Sequence, residues 1–185
     1  NDCEWTENTA SNGGAAYVNA NATVAFNQSE LKNNTAQLGG AVFNTQGNVE
    51  TTDSSFTKNN AVKNSKGANG NGGAVQIVGG TVAGSGNNVF SENTAENHAG
   101  AIYVSYYKDP DVENAERIGG KLIMTDGLFE KNTALSGGAI SSRTNGSVTL
   151  TGTELKDNES TYVQTGTYDS SKAGGAIYSN DGTIA

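Results

Sequence analysis

Short runs in which apolar residues alternate with polar or small ones recur along the whole chain, and Gly or Asn bounds each run. In Val24-Ala25-Phe26, for example, the two large apolar residues are two positions apart. This spacing predicts β-strands that turn one face toward a core. No stretch carries the i, i+3, i+4, i+7 apolar stripe of an amphipathic helix, and the 25 Gly residues disfavour helices further. The pattern therefore predicts an all-β chain.

A two-part motif recurs six times in the same order. Its first half is an aromatic residue or Leu followed three positions later by Asn, and its second half is a pair of small residues followed by Ala, most often Gly-Gly-Ala. The first-half positions are Trp5/Asn8, Leu31/Asn34, Phe56/Asn59, Phe90/Asn93, Phe129/Asn132 and Leu155/Asn158. The second halves begin at Gly13, Gly39, Gly72, Ala99, Gly137 and Gly174. An internal repeat of this kind predicts a stacked array in which each unit contacts its neighbours.

The length of the repeat indicates the fold. The undisturbed step is about 25–26 residues, which is too short for two packed helices and suits one coil of short strands. Aligned coils place three apolar columns inward, represented by Val24, Phe56 and Ile102. We predict one right-handed parallel β-helix over residues 1–185, of about six to seven coils with three short strands each. A disordered Gly/Asn-rich segment is the alternative, and the in-register columns argue against it.

The repeated Asn and Gly residues have predicted structural roles. Asn side chains stacked from coil to coil can bond to one another and to backbone groups at a corner. The paired Gly residues allow left-handed backbone angles where a Cβ would clash. The six aromatic or Leu positions and the six Asn positions are therefore assigned to structure.

Composition and charge exclude several classes of function. The formal net charge is −8, with 11 Lys and Arg against 19 Asp and Glu, so nucleic acid is not an expected partner. No apolar run is long enough to span a membrane. Both ends of the sequence fall inside a coil, and open coil edges pair readily. We therefore expect a segment of a longer array, with further segments of that array as neighbours.

The paired motifs resemble those of a known family. Phe-x-x-Asn and Gly-Gly-Ala-Ile, seen together at 129–132 and 137–140, resemble the repeats of the polymorphic outer-membrane proteins, which are large autotransporter surface proteins of chlamydiae. Similar repeats occur in adhesin-like surface proteins of other bacteria and archaea. The resemblance extends over the whole chain, with Trp5, Leu31 and Leu155 in place of Phe and Ala99 in place of the first Gly. It implies an exported passenger domain, displayed at the cell surface from the outer membrane, that binds host cells and serves virulence.

Two insertions predict a first candidate site. Near 63–71 and 159–172 the chain between the motif Asn and the Gly pair is longer than elsewhere, and both loops leave the same corner. Because three coils separate them, we expect two walls about 14 Å apart around a valley. His98, the only histidine, would lie on the floor, and the walls would offer Lys63, Lys66, Tyr162, Tyr168, Asp169 and Lys172. This mixture suits a carbohydrate or peptide ligand, and two solvated loops that bind nothing are the plainer interpretation.

A third insertion, near 104–119, leaves a different corner. It contains Tyr106 and Tyr107, which could contact a partner because Tyr adds contact area at low entropic cost. Asp109, Asp111 and Glu113 alternate in it like oxygen ligands of calcium, but the Gly and Glu of a complete calcium-binding loop are missing. Calcium is one interpretation of this loop and a plain acidic loop is the other; no further cofactor is predicted.

One column of the repeat is predicted to face solvent although most of it is aromatic. It lies two residues after each motif Ala and consists of Tyr17, Phe43, Gln76, Tyr103, Ser141 and Tyr178. Stacked outward aromatics can simply brace a sheet. A surface for a ligand or partner is the alternative interpretation.

Two functions follow from these observations. The first is a segment of a cell-surface adhesin that binds a receptor protein or glycan on host or neighbouring cells, or that acts as a structural stalk. The second is a polysaccharide lyase or hydrolase, because parallel β-helices often act on glycans. That chemistry needs clustered acids and a basic residue, yet Glu50 and Glu130 form no carboxylate cluster in the repeat register. We therefore do not predict an enzyme.

Overall fold

The computed structural model describes residues 2–163 and 174–185. Over these residues the chain forms strands, turns and bends, and it contains no helix. Each main strand pairs in parallel with the equivalent strands of the coils before and after it. Parallel strands that wind repeatedly through the same stacked sheets make a parallel β-helix, so the predicted fold class is confirmed.

Four parallel sheets form the sides of the described coils, and we number them in the order in which one coil passes through them from Thr23 onward. The first sheet contains β3 (Thr23–Asn27), β7 (Asn48–Thr52), β11 (Thr81–Ser85), β16 (Lys121–Thr125), β20 (Ser147–Thr151) and β24 (Thr183–Ile184). The second contains β1 (Glu4–Thr6), β4 (Glu30–Lys32), β8 (Ser55–Thr57), β12 (Val89–Ser91), β17 (Leu128–Glu130) and β21 (Glu154–Lys156).

The third sheet consists of short strands that follow the motif Asn. They are β5 (Thr35–Ala36), β9 (Asn60–Ala61), β13 (Thr94–His98), β18 (Thr133–Ser136) and β22 (Glu159–Ser160). The fourth sheet follows the Gly pair and contains β2 (Ala16–Val18), β6 (Val42–Thr45), β10 (Val75–Val78), β14 (Ile102–Tyr107), β19 (Ile140–Arg143) and β23 (Ile177–Asn180). One further strand, β15 (Ile118–Gly119), pairs antiparallel with β14.

The coil therefore has four strands where the sequence pattern predicts three. The additional strand is the short one of the third sheet, which is only two residues long in β5 and β9. Two residues are too few to show an alternation, so the pattern does not reveal this strand. Its inward residue is Ala, and Ala61, Ala95 and Ala134 form a small buried cluster of their own.

Register between coils aligns the large apolar side chains of the second sheet in one column. Leu31, Phe56, Phe90 and Phe129 pair in sequence and are at most 1% exposed. The last three rings stack nearly parallel, with centroids 4.6 and 4.7 Å apart. Offset stacking adds to the free energy of burying such rings. This column is the centre of the main core cluster.

A ladder of Asn side chains runs beside the aromatic column. From Asn8 to Asn158, the Nδ2 of each ladder Asn donates to the Oδ1 of the next at 2.9–3.0 Å. The same Oδ1 accepts the backbone N–H of the Asn one coil earlier. Nδ2 also donates to the carbonyl at the aromatic position, as Asn93 does to Phe56 at 2.8 Å. Because the amides of the interior members are fully bonded, they can be buried at little cost.

The interior of the ladder is buried more deeply than a polar corner residue usually is. Its end members differ, since Asn8 is exposed and Asn158 is half-buried. The four interior members are each 0% exposed: Asn34, Asn59, Asn93 and Asn132. These four side chains are inaccessible to a ligand, so they contribute to the structure of the β-helix and to no binding surface.

The corners depend on left-handed backbone conformations. The residue before each ladder Asn has a φ of 51–58°: Glu7, Asn33, Lys58, Glu92, Lys131 and Asp157. The first Gly of each small pair is left-handed too, and a Cβ on Gly39 would lie 2.0 Å from the carbonyl oxygen of Val42. Ala99 occupies this position in its own coil with a φ of 58°. A left-handed Ala is costly, so this coil departs from the others at a strained residue.

Candidate ligand-binding groove

The outer face of the fourth sheet carries the predicted outward column. Tyr17, Phe43, Gln76, Tyr103, Ser141 and Tyr178 pair in register from coil to coil. Tyr17 is 52% exposed, but each of the other five is at most 8% exposed. The expected solvent face is thus largely covered. Part of the cover comes from the column itself, since the Tyr17 and Phe43 rings stack at 5.4 Å.

The insertion near 104–119 forms a hairpin that stands beside this column. β14 continues to Tyr107, and the chain returns as β15, with Tyr106 opposite Gly119 and Tyr107 opposite Ile118. The guanidinium of Arg117 lies 4.8 Å from the centre of the Tyr106 ring. The Nδ2 of Asn145 donates to the Arg117 carbonyl at 3.1 Å, which ties the hairpin to a later coil. The hairpin is therefore anchored to the coils of the β-helix.

A groove of about 630 Å³ lies between the hairpin and the outer face of the fourth sheet. Gln76 and Tyr103 contribute its floor from adjacent strands, and Tyr106, Tyr107 and Lys108 contribute the hairpin side. The remaining lining residues are Val78, Ser105, Arg143, Thr144 and Asn180. This volume is typical of small-molecule sites.

Arg143 is positioned by His98, which in turn stacks on Tyr103. Its Nη1 donates to the Nε2 of His98 at 3.1 Å, so that ring nitrogen carries the lone pair and the proton lies on Nδ1. The His98 ring stacks on the Tyr103 ring at 5.5 Å. Burial raises the pKa of the Tyr103 phenol above its usual 10.0, although the charge and hydrogen bond of Arg143 oppose the rise. The groove thus presents a positioned guanidinium beside a neutral phenol.

The polar groups of the groove are incompletely matched. Among residues 2–163 and 174–185 the ion pairs are Lys32–Glu30 and Lys58–Glu92, so neither Arg143 nor Lys108 has a carboxylate partner there. The Oε1 of Gln76 is buried without a hydrogen-bond partner, and so is the Oγ of Ser141 in the same column. Buried polar atoms without partners cost free energy, so these two atoms lower the stability of this face.

The predicted candidates are distributed unevenly over this surface. Tyr103, Tyr106 and Tyr107 line the groove, whereas Phe43 and Tyr17 lie in the same column one and two coils before Gln76. Sequence reasoning does not select Arg143 or Lys108 for this site, and it includes Gln76 only as a member of the outward column. A signal for Gln76 is present, because it interrupts an aromatic column with a polar residue.

The predicted valley differs from the structure at its floor. His98 is only 6% exposed, because a register shift between Ala95 and His98 carries it along β13 to the side of Tyr103. Lys63 and Lys66 are exposed, and the Lys63 N–H donates to the Glu96 carboxylate at 2.7 Å, so this loop rests on the next coil. Tyr162 is half-buried. Tyr168, Asp169 and Lys172 lie outside the described residues.

The acidic stretch of the hairpin shows one local bond. The Asp109 carboxylate accepts the N–H of Asp111 at 3.0 Å. In the described part of the chain, no three His, Cys, Asp or Glu side chains come together as a metal-binding group. Calcium at Asp109, Asp111 and Glu113 stays a prediction.

The fold and the groove define a class of protein: a parallel β-helix with a ligand-sized groove on one outer face. Two segments match the family model described as the Chlamydia polymorphic membrane protein repeat, at residues 89–105 and 126–143. The resemblance drawn from the motifs is thereby confirmed at these two repeats, which carry Tyr103 and Arg143. Proteins of that family are surface proteins of the outer membrane, which supports a cell-surface location at the level of the family. The chain has no significant match among curated proteins or solved structures.

No helix among the described residues is long and apolar enough to cross a membrane.

Proposed function

We propose that this chain is an adhesive segment of an autotransporter passenger, displayed at the outer surface, that binds a protein or glycan on host or neighbouring cells. The observation that carries the proposal is the groove on the fourth sheet, which combines aromatic side chains with a guanidinium that has no carboxylate partner in the described residues. Aromatic residues and Arg are the side chains most enriched where proteins recognise partners. The two matched repeats support display at a cell surface.

Rigid support for the groove favours recognition. Its floor belongs to β10 and β14, which pair over four residues, and both strands join the main core through Ile77 and Val104. Binding groups held on a stiff scaffold lose little conformational entropy when a partner docks. The hairpin supplies the part of the site that lies outside the repeated coils, and loops on regular scaffolds commonly carry binding residues.

The test is binding of the labelled protein to cultured epithelial cells, compared between two loop-shortened variants. In the first, residues 108–117 are replaced by Asn-Gly, which closes the hairpin after the Tyr107–Ile118 pair. In the control, residues 64–68 are replaced by Asn-Gly, which closes the other loop after the Lys63–Asn69 pair. We expect saturable binding that the first variant loses and the control keeps.

Other results would count against the proposal. Absence of saturable binding would leave a structural stalk, and loss in the control alone would move the site to the 63–71 loop. Repeating the assay with a chelator tests the calcium prediction, since calcium-dependent binding should then fall. Oligosaccharides recovered shortened after incubation would favour the enzyme instead of an adhesive segment.

A further inference from the structure

Both arginines of this acidic chain lie at the groove, beside a hairpin that also carries Asp109, Asp111, Glu113 and Glu116. The net charge is −8, and the only arginines are Arg117 and Arg143. Both lie at the groove, Arg143 in its lining and Arg117 against the ring of Tyr106, and Lys108 joins them on the hairpin. In residues 2–163 and 174–185 no carboxylate lies within ion-pair distance of any of the three. Cations placed together without carboxylate partners attract an anion from solution.

The geometry at Arg143 suits a carboxylate in particular. A guanidinium has five N–H donors in a planar fork, and His98 takes one of them through Nη1. The Tyr103 phenol lines the groove together with Arg143. The His98 contact positions the guanidinium and leaves donors for a bidentate pair with a carboxylate.

A second side chain of the groove, Gln76, requires a hydrogen-bond donor and not an anion. The Oε1 of Gln76 lies on the floor of the groove, is buried and accepts no hydrogen bond, and the residue is only 6% exposed. An amide oxygen needs a hydroxyl or N–H donor, which a simple anion does not supply. A ligand that carries both a carboxylate and hydroxyl groups would satisfy Gln76 and Arg143 together.

Resting on the adhesive function proposed above, we propose that the groove binds an acidic sugar, with the carboxylate of a uronate or sialate residue on Arg143 and a ring hydroxyl on Gln76. The volume of about 630 Å³ suits one or two sugar rings. Tyr106 and Tyr107 provide apolar ring surface beside these polar groups. A sugar has one apolar face and a polar rim, which matches that arrangement.

The proposal is tested by calorimetric titration of the whole chain with small probes. The acidic probes are a galacturonate trisaccharide and sialyllactose, their neutral counterparts are galactotriose and lactose, and a tetraglutamate peptide represents an acidic peptide. We expect at least one acidic sugar to bind about tenfold or more tightly than its neutral counterpart, as loss of a charged hydrogen-bonded pair predicts. Which of the two acidic sugars binds distinguishes uronate from sialate. Equal affinity for acidic and neutral sugars, or tighter binding of the peptide, would overturn the proposal.

Substitutions of the cationic side chains test whether the acidic sugar binds in the groove. Arg143→Gln should reduce the affinity to that of the neutral sugar, while Lys121→Gln, an exposed change in the first sheet with the same loss of charge, should leave it unaltered. Lys108→Gln alters an exposed hairpin side chain that the fold does not need, and it should weaken binding about threefold, as a partly screened charge does. Unchanged affinity in both groove variants would refute the site.

The same variants separate this inference from the adhesive function. If Arg143→Gln binds cells as the unaltered chain does, the adhesive function is supported and the role of the acidic-sugar site is refuted. If the chain binds acidic sugars but does not bind cells, the acidic-sugar site is supported and the adhesive function is refuted.

Discussion

The Asn ladder and the outer face of the fourth sheet differ in whether their buried polar groups are hydrogen-bonded. Along the Asn ladder, an interior member such as Asn93 accepts two hydrogen bonds at Oδ1 and donates two from Nδ2. On the outer face of the fourth sheet, the Oε1 of Gln76 and the Oγ of Ser141 are buried with no partner. The ladder repeats one residue type and the same bonds from coil to coil, whereas the outer column changes residue from coil to coil. Repetition therefore serves stability, and the unpartnered polar groups lie where the repetition is interrupted.

The largest effect is expected at the aromatic column, which stabilises the regular side. Phe129→Asp places a carboxylate in a fully buried position against the Phe90 ring. We expect a loss of more than about 4 kcal/mol and no cooperative unfolding transition. Circular dichroism and thermal melting measure it. Ile123→Asp, at a side chain 45% exposed on the first sheet, is the control, and equal melting of the two variants would show that the register is wrong.

The next effect is expected at the ladder itself. Asn93→Ala removes the acceptor of the Asn59 amide and backbone N–H, and it leaves the Phe56 carbonyl without its donor. We expect a destabilisation of about 3 kcal/mol in urea denaturation, because several buried groups lose partners at once. Exposed Asn48→Ala should change stability by less than about 0.5 kcal/mol. A similar small change at Asn93 would mean that the ladder contributes no stability.

A third change tests the strained corner next to the groove. Ala99→Gly relieves a left-handed Ala with a φ of 58°, and we expect a gain of about 1 kcal/mol in the free energy of unfolding. The reverse change in the following coil, Gly137→Ala, would bring a Cβ within 2.4 Å of the Ile140 carbonyl oxygen and should destabilise the fold. Melting of both variants checks the pair, and a loss of stability in Ala99→Gly would show that the Ala side chain contributes more than its strain costs.

The smallest effect is expected from the phenol in the groove. Because burial raises the pKa of Tyr103, the folded state holds its proton more tightly than the unfolded state does. The contribution is therefore fully present below pH 10.0, the usual value, and is lost as the pH rises through the higher folded value. When the pH is raised from neutral to above 10.0, the Tyr103→Phe variant should lose less free energy of unfolding than the unaltered chain. Urea denaturation at the two pH values measures this loss, and an identical loss in both proteins would contradict the prediction.

The fold could be predicted because its information is local and repeated. Val49 and Phe56 lie seven residues apart, as do Val24 and Leu31 in the coil before, and Val82 and Phe90 differ by one extra residue, so the inward columns can be aligned from spacing. The repeat pattern fails to predict the structure at the few positions where one coil differs from the others. The strand that carries His98 extends past its neighbours in the previous coils, and no spacing rule places its ring against Tyr103.

The groove could be predicted only in part. The tyrosines of the hairpin are visible because they stand in an insertion, but the direction in which an insertion folds depends on contacts such as that between Asn145 and Arg117. Arg143 lies in a different coil from Gln76, and their proximity becomes evident only when the strand order is known. Residues that act together across coils carry no common signal in the linear sequence.

The register of the Asn ladder has a consequence for inheritance. Ladder partners in the uninterrupted coils, such as Asn34 with Asn59 and Asn132 with Asn158, are 25 or 26 residues apart and repeat the same bonds. An unequal recombination that copies the codons of one such coil would thus add a complete rung and displace no contact elsewhere. The groove residues Gln76, Tyr103 and Arg143 lie on neighbouring coils. A recombination that duplicates a coil elsewhere in the chain would leave these three residues unchanged. Descendants of this gene can therefore vary in length while the groove is kept, or alter the groove while the length is kept.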